Sequence, residues 1–77
     1  MTYSISVEYR YFDTMYKNSI NTWDEVLSIL RHGLKGFPTV VRITKYSSDN
    51  KVLKDLYVSM ANLYEVATSE TDKVLSQ

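Results

Sequence analysis

There is no cysteine in these 77 residues, and only one proline, one histidine and two glycines. Each scarcity closes a class. Without cysteine there is no disulfide framework and no thiolate metal site. Such a chain fits a reducing compartment. The lone His32 cannot supply the two- or three-histidine sets that zinc usually requires. Gly33 and Gly36 stand together near the end of a helical pattern, the wrong dipole end for cradling a phosphate, and no nucleotide-binding motif is present. Long apolar runs are missing too: none approaches the roughly 20 residues that span a bilayer. The N-terminus, MTYSISVEYR, has no basic stretch leading into an apolar one, so no signal peptide is expected. These absences predict a single soluble, cytoplasmic domain over residues 1–77. A core of this size is only just sufficient. With disulfides and metals excluded, a partner or a second copy is the remaining source of stability.

Net charge is zero, with nine bases against nine acids, but the signs are segregated. Residues 26–54 carry six bases and one acid, whereas both flanks are acidic on balance. A basic middle can steer association without defining a fold.

Residues 3–12, YSISVEYRYF, alternate: Tyr3, Ile5, Val7, Tyr9 and Tyr11 on one side, Ser4, Ser6, Glu8 and Arg10 on the other. A period of two with β-branched and aromatic residues predicts a half-buried strand. A turn at Asp13 and Thr14 leads to a second strand over 15–20, in which Tyr16 and Ile20 share a face. Residues 22–37, TWDEVLSILRHGLKGF, form the helix around which the rest is arranged. Thr22 and Glu25 make a capping box, and Asp24 and Glu25 suit the positive end of the helix dipole. Trp23, Val26, Leu27, Leu30 and Leu34 recur at helical spacing as one apolar stripe. Either Gly33 or Gly36 takes the left-handed position that ends the helix, with Leu34 meeting Ile29 in the first case and Phe37 closing in the second. Pro38 prevents continuation.

Residues 39–46, TVVRITKY, read as another strand, with Val41 and Ile43 toward the helix and Arg42, Thr44 and Tyr46 opposite. Ser47 to Asn50 is a turn by composition. Residues 51–67 fit two patterns. As a strand over 51–59 with a helical turn near 61–67, Val52, Leu56 and Val58 share a face interrupted by Lys54. As one helix, Leu53, Leu56, Tyr57, Met60, Leu63, Tyr64 and Ala67 match the spacing. The short polar turn after a strong strand favours the hairpin. From about residue 69 the tail is polar and expected to fray. The architecture is thus α+β: a ββαββ domain whose antiparallel sheet of three to four strands packs on one helix, the alternative being a second helix over 51–67. The Ile5, Val7 and Tyr9 side of the first strand meets Trp23, Val26 and Leu30.

No constellation encodes a reaction, and no cofactor is implied. His32 sits among Arg31 and Lys35, whose charge opposes a base role, and a helix-terminal position accounts for it. The adjacent Asp24 and Glu25 are explained by capping, while Glu70 and Asp72 lie in the polar tail. Ten aromatics are more than so short a chain can bury, because small domains keep a large share of their surface exposed. Tyrosine, tryptophan, phenylalanine and arginine favour interface cores. The candidate partner-binding residues are therefore Arg10, Phe12, Arg31, Lys35, Arg42, Lys45, Tyr46, Tyr57 and Tyr64. Phe12 is singled out because it falls on the polar parity of its strand. Sheet edges with unpaired amides also admit a homodimer. Aromatics among bases admit stacking on unpaired nucleic-acid bases, against a zero net charge.

Taken whole, VEYRYFD leading through a Lys-Asn segment into NTWDEVLSIL, then VVRITKYSS and a polar hairpin, resembles the short orphan proteins of bacteriophages and other mobile elements. The resemblance implies one small strand–helix–strand domain without catalytic residues that binds and blocks a bacterial host protein. Anti-CRISPR proteins and inhibitors of host replication or transcription are examples of that class. The expected function is accordingly a non-enzymatic protein-binding module, a phage-encoded inhibitor of host replication, transcription or defence machinery. Alternatives are a small nucleic-acid-binding regulator using the basic middle, and a subunit of a larger assembly.

Overall fold

Tyr3, Ile5 and Val7 are buried, while Thr2, Ser6 and Glu8 between and beside them reach solvent. That alternation makes β1, Thr2–Glu8. The computed structural model describes residues 1–10, 14–34, 38–71, 73 and 75, with Met60 described through its backbone alone. The strand stops at Glu8, short of the expected 12. Tyr9 leaves it but still packs against the core. Tyr11, Phe12 and the proposed turn residue Asp13 lie outside the described residues.

β2 spans Met15–Ile20, α1 Trp23–Ser28, β3 Val40–Tyr46, β4 Val52–Val58 and α2 Met60–Ala67. The four strands form one antiparallel sheet in the order β2-β1-β3-β4. Two hairpins are thus joined by a helical crossover from edge strand β2 to central strand β3. The ββαββ expectation holds. Residues 51–67 are strand then helix, as the hairpin reading required, and not the single helix that was its alternative. The turn before β4 explains why: the Ser47 amide donates to the Lys51 carbonyl at 2.9 Å, and the Asn50 amide to the Ser47 carbonyl at 3.0 Å. Asn50 takes φ 64°, a left-handed conformation that asparagine tolerates.

Two irregularities change which residues face inward. Between Tyr3 and Ile5 of β1 the opposing β2 residues are Ile20 and Lys17, one residue more than a regular ladder allows. Ser19 absorbs the extra residue at φ 57°. The bulge inverts the parity of Ile20, which is 1% exposed, while Tyr16 faces solvent. Tyr16 and Ile20 therefore do not share a face, contrary to the period-two expectation. On β4 the register passes from Lys45↔Lys54 to Tyr46↔Val52. Leu53 is the extra residue, and Val52 is carried to the face of Tyr46, away from Leu56 and Val58.

The helix begins as its capping signal requires: the Glu25 amide donates to Thr22 Oγ1 at 3.2 Å, and Thr22 is extended at φ −134°, ψ 155°. After Ser28 the coil widens into a π-helical segment, Ile29–Gly33, and Leu34 leaves it at φ −89°, ψ 137°. The helical stretch therefore ends earlier than 37. Gly33 does not adopt a left-handed conformation, so it does not end the helix in the expected way. Lys35, Gly36 and Phe37, with the alternative ending, lie outside the described residues.

Trp23, Val26, Leu27 and Leu30 are all buried and cover the Tyr3, Ile5, Val7, Val41 and Ile43 side of the sheet. Each fully buried aliphatic side chain contributes about 1.5–3 kcal/mol. The Trp23 ring tilts at 58° against Tyr3, with centroids 5.7 Å apart. Its indole N–H donates to the Ser69 carbonyl at 3.0 Å, and Arg31 Nε donates to the Ala67 carbonyl at 2.7 Å. These two bonds fasten the end of α2 against the first helix, where Val66 and Ala67 join the core. Within the stretch expected to fray from about residue 69, Ser69 is thus held and Leu75 is 1% exposed.

Candidate functional site

Both helices occupy one side of the sheet, and among the described residues no helix covers the other, open side. Register assigns to it Thr2, Ser4, Ser6 and Glu8 of β1, Val40, Arg42, Thr44 and Tyr46 of β3, Tyr16 of β2, and Val52, Asp55 and Tyr57 of β4. The row Tyr16–Ser6–Arg42–Tyr57 runs across all four strands. Tyr16 is 59% and Tyr57 64% exposed, so the row ends in an exposed tyrosine at each edge, with Arg42 beside Tyr57.

A polar network sits at the centre of this face. Ser4 and Thr44 face each other and are both buried. The Thr44 hydroxyl donates to Asp55 Oδ1 at 2.6 Å. Arg42 donates to both carboxylate oxygens, from Nε to Oδ1 at 3.2 Å and from Nη2 to Oδ2 at 3.1 Å. Hydrogen bonds from Arg42 first, and Thr44 second, hold the Asp55 carboxyl below its ordinary range. The same pairing pushes the Arg42 guanidinium further up. The guanidinium carbon lies 5.4 Å from the Tyr57 ring centroid, a cation–π distance. Ser4 Oγ donates to Tyr46 Oη at 3.4 Å. Arg42 is therefore held by Asp55, and it lies over the Tyr57 ring.

Described residues line two concavities on this face. One, of about 290 Å³, is walled by Ser6, Glu8, Val40, Arg42 and Tyr57. The other, of about 190 Å³, is walled by Thr2, Tyr16, Asn18, Ser19, Tyr46 and Asn50. A third groove, of about 480 Å³, lies on the helical side among Leu30, Arg31, Leu63, Tyr64, Ala67 and Thr68.

The structure divides the sequence candidates. Arg42, Tyr46 and Tyr57 come together on the open face. Arg31 and Tyr64 share the groove on the other side of the molecule. Lys45 takes the helix-side parity, opposite Tyr3 and Lys54. Arg10 is exposed just beyond β1. Phe12 and Lys35 lie outside the described residues. Among the described residues the basic middle does not form one patch: Arg42 is bound to Asp55, Lys51 approaches Asp49 at 3.8 Å, and Arg31 serves a backbone carbonyl. Sequence reasoning missed Tyr16, which the Ser19 bulge separates from Ile20, and Glu8, whose position beside Val40 and Tyr57 depends on long-range register.

Among the described residues, no three histidine, aspartate or glutamate side chains are grouped to hold a metal ion, and no helix is long and apolar enough to cross a membrane. His32 is exposed on the π-helical segment. The open face presents aromatic surface, hydrogen-bonding groups and charged side chains. No protein-family model matches the chain, and no match was found among curated proteins or solved structures.

Proposed function

We propose that the chain is a non-enzymatic protein-binding module that holds its partner on the open face of the sheet. The observation that supports this is the row of Tyr16, Arg42 and Tyr57, with both tyrosines more than half exposed, one on each edge strand of a continuously hydrogen-bonded sheet. Tyrosine and arginine supply most binding energy where they are held rigid, because little side-chain freedom is lost on association. The setting implied by the sequence resemblance, a phage-encoded inhibitor acting on a host protein in the bacterial cytoplasm, is part of this proposal. Pairing through a sheet edge is the weaker form of it, since β2 and β4 are both edge strands and both are bulged. Bulges twist an edge away from further pairing.

The same row favours a second reading, stacking of unpaired nucleic-acid bases on Tyr16 and Tyr57. Charge opposes it: the strand residues on this face carry two carboxylates, Glu8 and Asp55, against the one guanidinium of Arg42. Affinity for a polyanion rests mainly on uncompensated cations.

Capture from a bacterial lysate tests both. The tagged chain is compared with Tyr16→Ala, Tyr57→Ala and, as a control on the opposite side, Tyr64→Ala. A protein retained by wild type and Tyr64→Ala but lost with the other two is the expected result. Retention by all four, or loss with Tyr64→Ala alone, rules out the open face. Binding to oligothymidylate that collapses steeply with added salt selects the nucleic-acid reading instead.

A further inference from the structure

We infer that the partner presents a basic side chain, lysine or arginine, to the cavity walled by Ser6, Glu8, Val40, Arg42 and Tyr57; this rests on the protein-binding reading above. The cavity has two charged walls. Arg42 is matched by Asp55 through two hydrogen bonds. Glu8 is exposed, and among the described residues no side chain pairs with its carboxylate. The charge left open in the cavity is therefore negative.

The remaining walls suit the rest of such a side chain. Val40 and the Tyr57 ring present apolar surface for the methylene stem of a lysine or arginine. Ser6 offers a hydroxyl beside the carboxylate. An incoming cation meets the Glu8 carboxylate with the tyrosine ring alongside, and a charge-assisted hydrogen bond is the strong kind. An incoming carboxylate or phosphate meets an unmatched negative charge there. Glu8 is also well placed to act as a fixed group. It faces Val40 in the ladder, and its carbonyl accepts the Thr39 amide at 2.7 Å, so its backbone is anchored.

The test uses the full chain and a capped pentapeptide with a central arginine flanked by valine and threonine. Its counterpart carries citrulline, which keeps the shape and removes the charge. Amide shifts followed by nuclear magnetic resonance are expected at Ser6, Glu8, Val40 and Tyr57 with the arginine peptide. Binding of the citrulline peptide to wild type, and of the arginine peptide to Glu8→Gln, is expected to be about tenfold weaker, the loss of one charge-assisted contact. Glu8→Lys is expected to prefer a glutamate-centred peptide. Equal binding of the arginine and citrulline peptides, shifts confined to other residues, no binding at millimolar peptide, or an unchanged affinity in Glu8→Gln overturns the inference. Oligothymidylate serves as the polyanion arm, and tight binding that shifts the same four amides overturns it as well. The two readings fail separately: if Tyr57→Ala loses a captured partner and Glu8→Gln keeps it, the face binds protein but not through a basic side chain, whereas a partner kept by Tyr16→Ala and Tyr57→Ala removes the broader reading.

Discussion

Thr44 and Asp55 stand opposite each other on β3 and β4, and the Thr44 hydroxyl reaches the carboxylate at 2.6 Å from a position only 3% exposed. A threonine at the centre of a sheet face is thereby satisfied by a charged residue on an edge strand. Arg42, two residues along β3, completes the clamp.

Asp55→Asn is expected to lower stability by about 1 kcal/mol at neutral pH, the net value of a half-exposed charged hydrogen bond. The sign of the pH effect follows from the direction of the shift. The folded carboxyl sits below its ordinary value of 3.8, so its contribution is fully present above that value and disappears as pH falls through the depressed folded one. Urea denaturation of wild type and variant should show the gap closing as the solution is acidified. Asp49 is also held low, chiefly by the Ser47 hydroxyl, so part of the acid sensitivity persists in Asp55→Asn.

Ser19 gives a backbone prediction. At φ 57° a β-branched residue is strained and glycine is not. Ser19→Val is expected to destabilise by about 1–2 kcal/mol, whereas Ser19→Gly is expected to be at least as stable as wild type. Thermal unfolding followed by circular dichroism measures both. A harmless Ser19→Val places the bulge elsewhere.

Gly33 gives the opposite case. Its conformation is not left-handed, and a Cβ there meets Ile29 Cγ2 at 3.4 Å, an ordinary contact. Gly33→Ala is therefore expected to stabilise by about 0.4–1 kcal/mol through reduced freedom of the unfolded chain. A large loss of stability would restore the left-handed ending that the sequence pattern suggests.

Ile43 and Tyr57 separate fold from face. Ile43 is fully buried, and Ile43→Ala is expected to cost about 2–5 kcal/mol. Tyr57→Ala, which removes an exposed ring and one cation–π contact, is expected to cost under about 1 kcal/mol. Urea midpoints at constant m-value measure the difference.

The legible parts of this fold are those coded locally. The alternation of Tyr3, Ile5 and Val7, the Thr22–Glu25 cap and the polar turn before β4 each depend on residues close in sequence, and each is found in the structure. The bulges are not coded that way. Neither Ser19 nor Leu53 is a glycine, so nothing in the local pattern marks where parity inverts, and Ile20 is read onto one face with Tyr16, and Val52 onto one face with Leu56 and Val58, which the register separates. The site suffers most from this, because Tyr16 is read as a companion of Ile20 rather than as an exposed ring. The basic middle segment misleads for a related reason. Arg42 and Lys45 are close in sequence but point to opposite sides of the sheet, and only the pairing of β3 with β4 shows that Asp55 neutralises one of them.

The two central strands are interleaved in a way that has a practical consequence. In β1 and β3 every even-numbered residue belongs to the open face and every odd-numbered one to the helix-covered side. Only Ser4 and Thr44 are buried among the even set. A library that randomises Thr2, Ser6, Glu8, Val40 and Tyr46 while leaving their neighbours intact changes the open face one residue away from the core without altering the core. The domain is in that sense a scaffold whose open face is free to drift, or to be redesigned, at little expense to folding.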